Sequence, residues 1–139
     1  MKHYQPTFVL LFALLLGFIA TACSGNSVSE QTAEPPIRIS AIELYAQREA
    51  NSERYDALFK GKTVHISGVI CEIESGEIRL YADEDSQSFG VCFFDVRLDD
   101  LPTDVLAAPS VGDPFQAICE VDEYILGSIF LKDCSVPSE

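Results

Sequence analysis

Apolar and polar positions along this chain change period three times. Residues 8–20 (FVLLFALLLGFIA) form an unbroken apolar run of 13. Residues 24–36 (SGNSVSEQTAEPP) show no apolar period and end in two prolines. From residue 41 to about residue 59, Leu44, Tyr45, Arg48, Tyr55, Leu58 and Phe59 make an imperfect stripe at helical spacing. Ser40 and Glu43 supply the S-x-x-E pattern that opens a helix, and Gly61 supplies a stop. Asn51-Ser52 interrupts the stripe, so the pattern predicts two helices rather than one.

Beyond Gly61 the period becomes two. Residues 62–73 (KTVHISGVICEI) place Val64, Ile66, Gly68 and Ile70 on one face, and Gly68 marks a bend or bulge. Ser75-Gly76 reads as a turn and residues 77–81 (EIRLY) as a second, short strand. Residues 82–88 (ADEDSQS) read as an acidic loop and residues 89–96 (FGVCFFDV) as a third strand. Residues 99–109 read as a loop or short helix, and residues 113–121 and 125–135 as strands four and five. A long bent first strand and an insertion between the third and fourth predict a mainly β fold. The expected form is a five-stranded OB-like barrel preceded by an N-terminal helical segment. Closure removes edges that a small β domain otherwise has to protect. The alternative is an open α+β sheet with the helix on one face.

The apolar run has the length of a signal-peptide core and is short for a membrane-crossing helix, which needs about 20 apolar residues. Met1-Lys2-His3 precedes it and Ala20-Thr21-Ala22-Cys23 follows. This segment resembles a bacterial lipoprotein signal, whose lipobox ends in a small residue and then cysteine; it departs from the usual pattern in having Ala20 where leucine is common. The resemblance implies cleavage before Cys23, a diacylglycerol thioether on its sulfur and a further acyl chain, such as palmitate, on its amine. Two or more chains anchor stably, since each buried methylene contributes about 0.8 kcal/mol. The alternative is an ordinary secretory signal cut near Ala22. The organisation expected is a signal peptide at 1–22, a lipidated cysteine and flexible tether at 23–37, and one domain at 38–137. Ser24 stands where an aspartate often marks inner-membrane retention, which implies the periplasmic face of the outer membrane in a Gram-negative cell.

Charge changes the picture next. The whole chain carries a formal −13; removal of residues 1–22 takes away only Lys2, leaving 8 cations against 22 carboxylates, a net −14. Such a surface repels nucleic-acid phosphates and anionic lipid headgroups, and it keeps the protein dispersed. Four cysteines follow Cys23, namely Cys71, Cys92, Cys119 and Cys134. Export to an oxidising compartment makes them disulfide candidates. Their intervals of 20, 26 and 14 residues contain no C-x-x-C knuckle, so no metal site is expected. Free buried thiols are the remaining alternative.

The domain resembles the tRNA-anticodon-like OB family of bacterial secreted proteins and lipoproteins. The likeness is carried by Glu43-Leu44-Tyr45-Ala46, Ala50-Asn51, Phe59-Lys60-Gly61-Lys62 and Val64-His65-Ile66-Ser67-Gly68-Val69. It continues through Val91-Cys92-Phe93-Phe94, Val111-Gly112-Asp113 and Leu131-Lys132-Asp133-Cys134. It departs at Ala117-Ile118-Cys119-Glu120-Val121, where Gly-x-Cys-x-Gly is common. OB strand order sets the first strand beside the fourth and the third beside the fifth. The resemblance therefore implies Cys71–Cys119 with Cys92–Cys134. OB folds that bind single strands combine a basic groove with stacking aromatics. Here Tyr81, Phe89, Phe93, Phe94, Phe115, Tyr124 and Phe130 are read as core. The cations after residue 59 number only five: Lys60, Lys62, Arg79, Arg97 and Lys132.

No motif of catalysis or phosphate binding is present. His65 is the only histidine after residue 22, and no serine or cysteine partner is evident for it. Asp83-Glu84-Asp85 lacks the alternating ligands of a calcium loop and reads as a solvated turn. The expected function is therefore a noncatalytic, membrane-anchored binding domain of the cell envelope, without cofactor, engaging an envelope protein, glycan or small molecule. The alternatives are an envelope enzyme with a site near His65 and a single-strand nucleic-acid binder.

Overall fold

A computed structural model describes residues 34–137 of the chain. The expected signal segment, Cys23 and most of the expected tether lie outside the described residues. The chain enters at β1 (Ile37–Ser40), a strand that the proline-ended sequence did not announce. The prolines occupy positions 35 and 36, just before the ladder, where their missing N–H costs nothing. Ser40 then caps α1 (Ala41–Ala50), its Oγ accepting from the Glu43 N–H at 3.1 Å. Asn51 both ends α1 and starts α2 (Ser52–Phe59), and its Oδ1 accepts from the Arg54 N–H at 2.9 Å. The expected division at Asn51-Ser52 is thus a shared cap.

Five further strands follow: β2 (Thr63–Glu74), β3 (Glu77–Tyr81), β4 (Asp95–Leu98), β5 (Pro114–Ile125) and β6 (Ser128–Ser135). They hydrogen-bond in the order β2-β3-β4-β6-β5, and β5 pairs back onto β2, which closes the barrel. β1 lies parallel to the first half of β2, with Ile37 opposite Val64 and Ser40 opposite Ser67. α3 (Glu84–Phe89) and α4 (Thr103–Ala107) occupy the connections on either side of β4. The mainly β, OB-like expectation therefore holds, and the open sheet does not.

Val64, Ile66, Ile70, Leu80, Leu98 and Leu131 fill the barrel, while Leu44, Tyr45, Tyr55 and Phe59 close it from the helices. Burial of each such side chain contributes about 1.5–3 kcal/mol. Gly68 sits where a Cβ would come 3.1 Å from Leu80 and 3.2 Å from Ala41. Its role is close approach of α1 to the sheet. The irregularity of β2 falls instead between Ile70 and Glu72.

Two expectations are corrected around residues 82–96. The acidic stretch is a helix start: Asp83 caps α3, its carboxylate accepting from the Ser86 N–H at 2.7 Å and from the Ser86 hydroxyl at 2.5 Å. Glu84 and Asp85 occupy the first turn, where carboxylates suit the helix dipole. The expected third strand at 89–96 begins only at Asp95, because α3 runs to Phe89 and ends on Gly90 in the left-handed region (φ 67°).

The disulfides are Cys71–Cys92 and Cys119–Cys134, which corrects the pairing implied by strand order. Cys119 lies opposite Val64 on β2, and the β2–β5 pairing ends at Val69. Cys71 stands seven residues along β2 from Val64, about 23 Å at strand rise, out of reach of Cys119. Cys92 is in the loop after α3 rather than on a strand, and that loop folds back onto β2.

Candidate binding face

The end of α3 and the loop after it carry exposed apolar side chains. Phe89 is 77% and Phe93 70% exposed, and Val91 and Phe94 are also open to solvent. These phenylalanines were expected in the core on a strand period, but the segment is a helix end and a loop. Cys92 ties the middle of that loop to β2, while Phe94 turns back onto the barrel. There it meets the β5–β6 hairpin: a Cβ on Gly127 would lie 3.0 Å from the Phe94 ring. Gly127 also has φ 94°, so both its lack of side chain and its backbone freedom are in use.

Leu126, beside it, is 99% exposed and has φ 49°. Positive φ at both loop positions matches the turn that suits two-residue hairpins, where the first position normally carries Asn, Asp or Gly. A leucine there costs about 1–2 kcal/mol. Aromatic contacts continue the surface inward: Tyr45 stacks on Phe94 at 5.5 Å and tilts against Tyr124 at 6.3 Å. Arg48 lies over the Tyr124 ring, with its guanidinium carbon 4.3 Å from the ring centroid. Sequence reasoning missed Leu126; the signal available was Leu126-Gly127 between two strands, hidden because strand five was begun at residue 125.

The barrel face formed by β3 and β4 has a different character. Arg79 contacts Glu72 at 2.6 Å, Glu77 at 2.6 Å, Glu74 at 2.9 Å and Asp95 at 3.7 Å. Arg97 contacts Asp95 at 3.3 Å and Glu77 at 3.8 Å, and also covers Phe130. Lys132 on β6 lies between Glu120 and Asp122. Burial opposes the charge on both Glu77 and Arg79, but their mutual hydrogen bond and attraction prevail, lowering the acid and raising the base. Asp99 is pushed up to about 6, first by burial and then by the hydrogen bond and charge of Glu77.

His65 meets Gln116, Nε2 to Oε1 at 3.1 Å, in a shallow depression with Arg38, Ile39 and Ser67. No group of three metal-ligating side chains occurs among the described residues.

Fold and surface together define a small OB-type barrel with an aromatic face at one hairpin end. The chain belongs to the tRNA_anti-like family, which matches residues 1–135. Among curated proteins none matches it. It is similar to a solved structure from Klebsiella pneumoniae described as a "putative nucleic acid-binding lipoprotein". That likeness has 16% identity and a TM-score of 0.57, and covers 74% of this chain and 92% of the other. A second structure, the telomere capping protein Ten1 from Saccharomyces pombe, aligns at 12% identity with a TM-score of 0.45. It covers 73% of this chain and 81% of that one. At these identities the first likeness is one of fold.

Proposed function

We propose that this protein is a noncatalytic docking lipoprotein of the bacterial cell envelope, anchored through lipid on Cys23. The observation that carries the docking role is the exposed apolar stretch of Phe89, Val91 and Phe93, together with Leu126 on the hairpin that Phe94 meets. Soluble surfaces rarely group such side chains unless they bind something. The occupant is another protein, presenting an apolar plug ringed by Lys or Arg. Asp83, Glu84 and Asp85 stand at the start of α3, the short helix that ends on Phe89, and the mature chain carries −14 after removal of Lys2 with the leader. A second copy or an anionic bilayer would be repelled. The Klebsiella relative, itself named a lipoprotein, supports the anchored setting.

The same relative's name motivates a second reading, single-strand nucleic-acid binding. The OB face that receives oligonucleotides lies on the second and third barrel strands, here β3 and β4. Its arginines are already engaged by carboxylates, so phosphate contacts would have to displace them.

A photo-crosslinker at position 93 of the full-length protein, in its own envelope, tests the docking reading. A discrete protein adduct is expected from position 93, lost on Leu126→Asn and absent from a crosslinker at position 132. Equal labelling from both positions would defeat the assignment of the face. Cys23→Ala is expected to move the protein into the soluble envelope fraction, and continued membrane retention would defeat the anchor.

A further inference from the structure

A separate cleft of about 220 Å³ opens between the two N-terminal helices and β5. Its cationic side is Arg48 and Lys60; its acidic side includes Asp56 and Glu123. None of these four joins an ion pair among the described residues, although opposite charges line one small space. Asp122, also on the wall, is held by Lys132 at 2.9 Å. The cleft thus keeps two cations and two carboxylates unpaired. β5 is irregular between Val121 and Tyr124, the stretch that lines the cleft.

Tyr55 provides an independent sign of a missing partner. It lines the cleft and is 3% exposed, and its hydroxyl is buried without a hydrogen-bond partner, as is Arg48 Nε. Each unmet buried polar group costs about 1–3 kcal/mol, so native folds leave few of them and two at one cleft call for an explanation. Burial, then the charge of Asp56, push the Tyr55 hydroxyl above its usual range, with Arg48 opposing. The hydroxyl is therefore a neutral donor. Arg48 is fixed over the Tyr124 ring, and the Tyr124 hydroxyl donates to Glu49 at 3.2 Å.

We infer that this cleft binds a small zwitterion, its carboxylate received by Arg48 and Tyr55 and its ammonium by Asp56 and Glu123. A planar guanidinium matches a carboxylate geometrically. A simple anion would face the acidic wall, and a simple cation would leave Arg48 and Tyr55 unmet. The volume lies below the roughly 300–1,000 Å³ of larger ligand sites, which suits a free amino acid or the charged end of a short peptide. The inference does not depend on the aromatic face.

The test is titration of the full-length protein in detergent with free amino acids and short unblocked peptides. Each amino acid is paired with its N-acetyl and amide forms, and the unfolding midpoint is read. The free zwitterion is expected to raise the midpoint, and each blocked form to lose that rise. Arg48→Gln and Glu123→Gln are each expected to weaken binding about tenfold or more. Each variant is compared with its own ligand-free midpoint, which separates binding from stability. Glu123 is exposed, so its variant keeps the test open if Arg48→Gln folds poorly. A larger response to peptides than to amino acids assigns the chain end as the source. No response at millimolar zwitterion, as for a cleft holding water alone, overturns the inference. An equal response to blocked forms, or one unchanged in Arg48→Gln, also overturns it.

Discussion

Single residues carry both the cost and the use of the proposed surface. Leu126 holds a left-handed backbone with its side chain fully in water, so neither conformation nor burial explains it. Leu126→Asn is expected to stabilise the domain by about 1 kcal/mol while abolishing partner crosslinking. Thermal unfolding and the position-93 adduct, measured on the same preparation, check both halves. Asp99 gives a pH dependence with a defined sign. Its folded pKa of about 6 lies above the ordinary 3.8, so the protonated form favours folding. That contribution is complete below the ordinary value and disappears as pH rises through the folded one. Asp99→Asn does not titrate, so the wild-type midpoint should fall relative to this variant from about pH 4 to about pH 7. A constant difference across that range would refute the assignment. At this scale the sequence was legible where chemistry is local, as in the Ser40 cap and the interruption at Asn51. It was silent on Asp99, whose partner Glu77 lies on another element, and on the unmet hydroxyl of Tyr55.

Elements explain how the aromatic loop keeps its shape. The Cys71–Cys92 bridge, with a sequence separation of 21, ties residues 89–94 to β2. Closing a loop of that length contributes about 3 kcal/mol in the chain-entropy account. The Cys71→Ala, Cys92→Ala double variant should unfold at lower temperature. Its amides at 89–94 should exchange faster, while those of the β2–β5 ladder stay protected in the native state. Uniform exchange throughout would mean that the bridge stabilises the barrel and does not shape the loop. Strands were legible wherever alternation ran uninterrupted: residues 77–81 match β3 at both ends. They were not legible at 89–96, where FGVCFFDV has the composition of a strand but Gly90 ends a helix. The pairing of cysteines failed for the same reason, since Cys92 had been given a strand position.

The described domain is an acidic barrel, and the cations of its β3–β4–β6 face, Arg79, Arg97 and Lys132, are neutralised by neighbouring carboxylates. Net charge governs encounter more than fold. Association with a basic partner should therefore slow as salt is added, with the change mainly in the on-rate. Stopped-flow measurements at two ionic strengths check this, and salt-independent association would remove charge complementarity from the docking reading. Oligonucleotide binding that weakens steeply with salt would instead favour the nucleic-acid alternative. The global architecture was legible because five strands in this order have few ways to close. The candidate face was not, because exposure of an aromatic depends on what the remainder of the chain leaves uncovered. Residues 37–40 lie lengthwise against β2, parallel to it. Tension arriving from the lipid side would load that ladder in shear, with its hydrogen bonds sharing the force and breaking together. Under the anchor proposed at Cys23, the first strand would serve as a mechanical clasp at the point where the domain begins.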